Sequence, residues 1–258
     1  MSEEKDEKIL EHLKTLFENV FKKERSESFR NIFREVYGSD YPEEANPDSF
    51  VTLTDLQAIA KNLNVGAGKT IIDLGCGRGG PGLWIAQETG VNYVGIDLSE
   101  NAVNQAKQRS INFKIGGKVE FQVGDMYSLN FPEKSFDGAL SIDVISFIPD
   151  PLAAIKEVAR VLRTKAYFVF TTWENKKSHI INDYRSYLRD ARFSVISYNE
   201  TSDWKERQKE VYQKTLELKK ILIKDMGRDG ALTYIMEAKK YLPMLNDLRR
   251  ILAVAMKM

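Results

Sequence analysis

The sequence predicts an α/β protein: a Rossmann-like parallel sheet with a terminal antiparallel strand, helices on both faces and a helical cap. Three observations predict it. Short apolar runs of strand length alternate with helical stretches between residues 69 and 172, and such alternation winds a parallel sheet through right-handed crossovers. A glycine-rich turn, Gly75-Cys76-Gly77-Arg78-Gly79-Gly80, follows the first run. A charged, helix-periodic stretch, 201–247, precedes a last apolar run.

Each element has its local reason. Residues 3–37 read as one or two amphipathic helices, because Ile9, Leu13, Leu16, Phe17 and Val20 recur at helical spacing. The 37–48 stretch holds Gly38, Pro42, Asn46 and Pro47 and reads as a loop. A helix over 52–64 takes Thr52 or Thr54 as its cap. Strand 69–74, the glycine turn and helix 83–89 follow. The second strand is 91–97. Ser99 caps a helix reaching about residue 112, with Glu100 in the first turn, where the dipole favours an acid. Strands 118–123 and 136–142, a helix over 151–162 and a fifth strand, 167–172, complete the alternation. Beyond Trp173 the pattern gives a helix over 178–190, a strand over 193–198, helices over 203–226 and 231–245, and a final strand over 251–256.

This divides the chain into an N-terminal helical lid segment (1–50), a core (51–200), a helical cap insertion (201–247) and a final core strand (248–258). The lid and cap are expected over the carboxyl edge of the sheet, where open α/β sheets bind ligands.

Composition narrows the function. The 258 residues carry 38 basic and 37 acidic side chains, a net charge of +1, which argues against a nucleic-acid or membrane-surface partner. The single cysteine, Cys76, permits no internal disulfide and suits a reducing compartment. The N-terminus lacks an apolar signal core, and no apolar run approaches the ~20 residues of a membrane span. A cytoplasmic location is expected. One cysteine and two histidines make a zinc site a poor reading.

The glycine turn carries the chemistry. Glycines after a strand let the backbone pass close to a ligand, and the next helix offers free N–H groups. Asp97, ending the second strand, is placed to accept from ribose hydroxyls. Gly75, Gly77 and Gly80 also fit G-x-G-x-x-G, so a nicotinamide cofactor must be weighed. Asp73 argues against it: a carboxylate at the mouth of the turn repels pyrophosphate but receives an ammonium group. Asp125-Met126, ending the third strand, suits an adenine, the acid accepting from the exocyclic amine and the apolar side chain packing on the ring.

Asp73-Leu74-Gly75-Cys76-Gly77-Arg78-Gly79, Val94-Gly95-Ile96-Asp97, Val123-Gly124-Asp125-Met126, Phe136-Asp137-Gly138-Ala139-Leu140-Ser141 and Arg160-Val161-Leu162-Arg163 together resemble class I S-adenosylmethionine-dependent methyltransferases. The flavour is that of the small-molecule branch, with its ubiquinone/menaquinone-type and natural-product enzymes. The resemblance covers about residues 50–175. It implies S-adenosyl-L-methionine as cofactor and O-, N- or C-methylation of a small-molecule acceptor. It implies that Asp73, Gly75 and Gly77 line the methionine part and that Asp97 holds the ribose. Leu98 then lies beside the adenine, Asp125 and Met126 flank it, and Ser141 approaches through its backbone. Where such proteins commonly have Pro-Gly-Gly, Thr164-Lys165-Ala166 stands here; a local stability cost and intact donor binding are expected.

Two residues are candidate bases. Asp143 follows the fourth strand and is expected to face the transferred group; a structural acid is the equal alternative. His179 lies past the fifth strand, with a surface histidine as the better alternative. Cys76 reads as a small buried residue. Tyr37, Tyr41, Trp84, Phe147 and Trp173 are expected in or near loops around the cleft, where aromatic faces can hold a sulfonium or simply pack. An NAD-dependent oxidoreductase and a nucleic-acid-modifying methyltransferase are the alternatives. The second is disfavoured by the near-zero charge and by Ser141-Ile142-Asp143-Val144 standing where an Asn-Pro-Pro-Tyr-type motif would be. The N-terminal helix can pack on its own domain or on a partner subunit, so a homodimer is one expectation.

Overall fold

Strands buried on both faces are largely apolar, and the central strands are built so, with acids near their ends. The computed structural model describes residues 3–22, 26–175, 177 and 183–258. Its seven strands are β1 (Thr70–Leu74), β2 (Asn92–Asp97), β3 (Val119–Val123), β4 (Phe136–Ile142), β5 (Leu162–Asn175), β6 (Phe193–Glu200) and β7 (Leu248–Lys257). They form one sheet in the order β3-β2-β1-β4-β5-β7-β6. The first five run parallel, while β7 is antiparallel to both neighbours.

Side chains alternate across the sheet and recruit helices to each face. Ile71, Tyr93, Leu140 and Val169 pack on α3 (Leu53–Leu63), α4 (Gly80–Thr89) and α5 (Glu100–Ser110) through Leu56, Ile59, Leu83 and Val103. Ile72, Val94, Ala139 and Phe168 turn to the other face. There they meet Ile155 and Val158 of α6 (Pro151–Val161) and Leu188 of α7 (Arg185–Asp190). Thr52 and Asp55 form a reciprocal capping box at the start of α3. The Ser99 hydroxyl caps α5, accepting from the Ala102 amide at 3.1 Å.

The remaining helices form a second layer. Phe29, Ile32, Phe33 and Tyr37 of α2 (Glu27–Tyr37) bury their faces against Val211 of α8 (Trp204–Glu217) and against Leu222, Ala231 and Ile235 of α9 (Lys219–Tyr241). The expected lid segment and cap insertion therefore share one small core. The insertion does fall between the last two strands, β6 and β7. Helix α1 (Glu3–Val20) docks on its own core: the Glu18 carboxylate accepts from the Glu100 amide at 2.6 Å and from Asn101 Nδ2 at 2.6 Å. Among the described residues, no helix is long and apolar enough to cross a membrane.

Some boundaries differ from the sequence reading. Strands β5 and β7 are longer than 167–172 and 251–256 because they pair with each other over nine residues, Tyr167↔Met256 to Asn175↔Leu248. The polar ends are satisfied: Glu174 is held by Arg249 and by the Tyr198 hydroxyl. The helix read over 178–190 is helical at Arg185–Asp190; 178–182 lie outside the described residues. In the cap the helix read over 203–226 is interrupted at Leu218, while the break expected between 226 and 231 falls at Gly227, whose non-helical backbone (φ 75°) kinks α9. Trp84 belongs to α4 and the core beneath it, away from the cleft.

The missing glycine after α6 has a visible consequence. Lys165 sits at φ 67°, a left-handed conformation that costs a residue with a Cβ roughly 1–2 kcal/mol. Glycine adopts it freely but loses more entropy on folding. Lys165→Gly is therefore expected to raise stability by about 0.5–1 kcal/mol, read as a higher urea midpoint with unchanged slope.

Candidate functional site

Four strand ends meet at the carboxyl edge: β1 and β4 at the centre, with β2 and β3 to one side. The turn after β1 folds as it does because Gly75, Gly77 and Gly79 all take positive φ (73°, 53° and 75°). At Gly75 a Cβ would also stand 2.5 Å from Val144 Cγ2, so no side chain fits. The Gly75 and Cys76 amides both donate to the Ile96 carbonyl, at 2.8 and 3.0 Å, and this seats the turn against the end of β2.

Two buried carboxylates flank the turn. Asp73, 3% exposed, accepts from the Tyr93 hydroxyl at 2.7 Å. Burial pushes its carboxyl up to about 7; the Tyr93 hydrogen bond opposes this and the charge of Asp97 adds to it. Asp97 accepts from the Gly77 amide through Oδ2 (2.8 Å) and from the Ser99 amide through Oδ1 (2.9 Å). Burial raises Asp97 as well, the two amides oppose the rise, and the charges of Glu18 and Asp48 add to it. Among the described residues, no lysine or arginine pairs with either acid. Two desolvated carboxylates held by neutral donors favour a cation and hydroxyl donors nearby.

The other candidates from the sequence are placed as follows. Ser141 is fully buried and its hydroxyl donates to the Leu74 carbonyl at 2.8 Å, tying β4 to β1 and leaving only its backbone for a ligand. Leu98 and Asp125 are half-buried beyond β2 and β3. Asp125 accepts from the Tyr127 amide at 2.9 Å. Met126 is buried against Val94 and Ile96. Cys76 is buried, and burial pushes its thiol up, as a packing residue requires. His179 lies outside the described residues.

Asp143, read from the sequence as either a base or a structural acid, lies in a buried ion pair. It is 8% exposed, and its backbone is left-handed (φ 57°). Arg250 of β7 grips it side-on, Nε to Oδ1 and Nη2 to Oδ2, both at 3.1 Å. The Phe50 amide donates to Oδ2 as well. The same guanidinium donates to Asp55 at 2.7 Å and to the Thr201 hydroxyl at 3.3 Å. Bound on both oxygens by one guanidinium, this carboxylate ties the loop after β4 to β7. Sequence reasoning missed Arg250, Asp55 and Tyr93, which are far in sequence from the groups they hold.

Beside this anchor a cavity of only about 10 Å3 lies under the cap, lined by Tyr37, Phe50, Trp173, Trp204 and Arg250 among others. That is room for about one water. Phe50 stands edge-on to Trp173 and to Tyr212 (centroids 6.1 and 5.6 Å), so aromatic packing fills most of the space beneath the cap.

A parallel sheet with this order, a glycine turn after β1 and an acid ending β2 define the Rossmann-like methyltransferase fold. The methyltransferase domain family matches residues 72–170, from β1 through most of β5. A sterol 24-C-methyltransferase of Pneumocystis carinii is 32% identical over 125 residues, 48% of this chain and 33% of that protein. A fatty-acid O-methyltransferase of Mycolicibacterium smegmatis is 33% identical over 131 residues, 50% and 46% of the two chains. The chain thus spans a third to a half of these relatives. Among solved structures, the Haemonchus contortus phosphoethanolamine N-methyltransferase 2, bound to phosphomonomethylethanolamine and S-adenosylhomocysteine, superposes with a TM-score of 0.68. It is 19% identical, with 88% of this chain and 56% of that one covered.

Proposed function

We propose that this chain uses S-adenosyl-L-methionine to methylate a small-molecule acceptor. The observation that carries the proposal is the pair Asp73 and Asp97, buried on either side of the positive-φ glycine turn and paired with no protein cation among the described residues. They fit the donor's two polar ends. Asp73 receives the ammonium of the methionine part, whose backbone path runs along Gly75 and Gly77. Asp97 accepts from the ribose hydroxyls, its orientation already fixed by the Gly77 and Ser99 amides. Leu98, Asp125 and Met126 border the adenine, and the Ser141 backbone closes the methionine end. Nicotinamide dinucleotides fit worse, because their pyrophosphate would face two buried carboxylates.

The bound donor supplies a sulfonium methyl group. The protein's own task is to align a nucleophile behind that carbon and to exclude water. Arg250 and Asp143 hold the loop after β4 and the start of β7 in fixed relation. The aromatic side chains beneath α2, α8 and α9 form the dry wall. With about 10 Å3 available there, this cap has to part to admit an acceptor and re-close over it, as lids do. The relatives named above act on acceptors as different as a sterol, a fatty acid and an amine; the proposal for this chain stays at the level of a small molecule. A cytoplasmic setting and a homodimer belong to the same proposal, and light scattering reads the second.

Calorimetry with S-adenosylmethionine at pH 7, in Pipes and in Tris, tests the donor reading. Burial pushes the Asp73 carboxyl up to about 7, so part of the free protein carries it protonated at that pH. Contact with an ammonium favours the charged form, so binding is expected to release protons. The observed heat then changes between buffers of different ionisation enthalpy. Absence of binding in both buffers overturns the proposal; binding with buffer-independent heat removes the ammonium from Asp73.

A further inference from the structure

We infer that α1 is a strap across the donor site: it lifts to let S-adenosylmethionine pass, and Phe17 and Phe21 form the outer wall of the site once the donor is seated. The inference rests on the donor reading above. It adds residues that lie before the 72–170 segment matched by the family. The aromatic cap of α2, α8 and α9 stands over the acceptor side. Helix α1 crosses a different place: the loops that follow β1, β2 and β4, the strands that carry Asp73, Asp97 and Ser141.

Each crossing point is a specific contact. After β1, the Phe21 ring lies on the glycine turn: a Cβ on Gly77 would stand 3.4 Å from Phe21 Cζ. The Arg78 guanidinium sits 4.9 Å from the centre of that ring, and Phe21 is buried. After β2, the Glu18 carboxylate accepts from the Glu100 and Asn101 amides, at 2.6 and 3.4 Å, and from the Asn101 side chain. Burial is the main cause of the rise in the Asp97 carboxyl, and Glu18 stands close enough for its charge to add to it. After β4, Phe147 meets Phe17 edge-on (centroids 5.7 Å), and Phe17 stacks on Phe21 (6.2 Å). The row Phe147, Phe17, Phe21 therefore bridges the loop after β4 and the turn after β1. A donor held at one end by Asp73 and at the other by Asp97 lies between these loops, beneath the row.

The fastening suits a part that moves. The Glu18 hydrogen bonds lie at the exposed surface, where water replaces a lost partner. The other polar ties of this turn are the Val20 and Phe21 carbonyls, which accept from Arg78 and Gln105. Toward its start the helix leaves Ile9 and Leu16 exposed. Exposed hydrogen bonds and little buried apolar surface mark an element that opens far more often than the domain unfolds. A seated donor gives the two rings apolar surface to cover and a cation to face. Donor binding therefore tightens the strap, and the closed strap keeps water from the sulfonium.

S-adenosylhomocysteine is the probe, bound to the full chain and followed by amide exchange and by stopped-flow fluorescence. The complex is expected to exchange more slowly than the free protein over 13–22. Glu18→Ala loosens the strap with and without ligand, so association and dissociation should both quicken about fivefold, with Kd changed by less than about threefold. A residue that merely supported the fold would not speed both. Phe21→Ala removes the wall, so dissociation should quicken at least about tenfold and Kd rise with it. Ile9→Ala, toward the other end of the same helix, is the control and should leave both rates unchanged. Absence of binding by the unaltered chain sinks the donor reading and the strap together. Binding with exchange over 13–22 unchanged or faster overturns the strap alone, and this measurement needs no variant. So do rates that neither Glu18→Ala nor Phe21→Ala alters.

Discussion

Asp97→Ala is expected to weaken S-adenosylmethionine binding by at least about a hundredfold in calorimetry while the protein stays folded. The reasoning is additive. A hydrogen bond to a charged group is worth about 1.5–3 kcal/mol, and in the proposed donor pose the carboxylate accepts two from a ribose. Losing both costs about 3–6 kcal/mol, and each 1.4 kcal/mol is tenfold in affinity. Asp97 also fixes the Gly77 and Ser99 amides, so its removal loosens the turn that receives the rest of the donor. Retained far-ultraviolet dichroism separates lost binding from lost structure. Binding reduced less than tenfold would place the ribose elsewhere and leave Asp97 as a strand-end brace.

Arg250→Met is expected to produce the largest loss of stability of any single change considered. The side chain is 1% exposed and holds two carboxylates. Removing one partner from a buried ion pair costs about 3–5 kcal/mol, because the remaining charge is stranded. For a chain of this size each kcal/mol moves the melting temperature by roughly 2–4 °C, so a fall of about 10 °C is expected in calorimetric scanning. Adding Asp143→Asn should restore part of the loss, since one stranded charge is then gone. A fall below about 1 kcal/mol would show that the two acids protonate or find water at little cost.

What could be read from the sequence follows from how the information is laid out. The glycine turn with Asp73 is contiguous, and Asp97 lies one crossover later, so chemistry and spacing appear together. Strand and helix order was legible because buried parallel strands are largely apolar. The Arg250 anchor was not. Its partners lie 107 and 195 residues away, and Arg250 itself reads as a polar flank of an apolar run. The same separation hid the packing of α2 on α8 and α9, since periodicity identifies an apolar face without naming its partner. Asp143 was visible as an acid at the right place, but only the fold supplies the guanidinium that occupies it.

The position of β7 bears on how the protein is made. The last strand of this sheet in chain order is an inner one, with nine residues paired to β5 on one side and seven to β6 on the other. Until it arrives, the nascent chain presents two open strand edges, and open edges invite pairing with other chains. The domain therefore completes its sheet late, after the cap helices have been synthesised. Expression of shortened forms ending before residue 248 should yield aggregates in place of a smaller working domain.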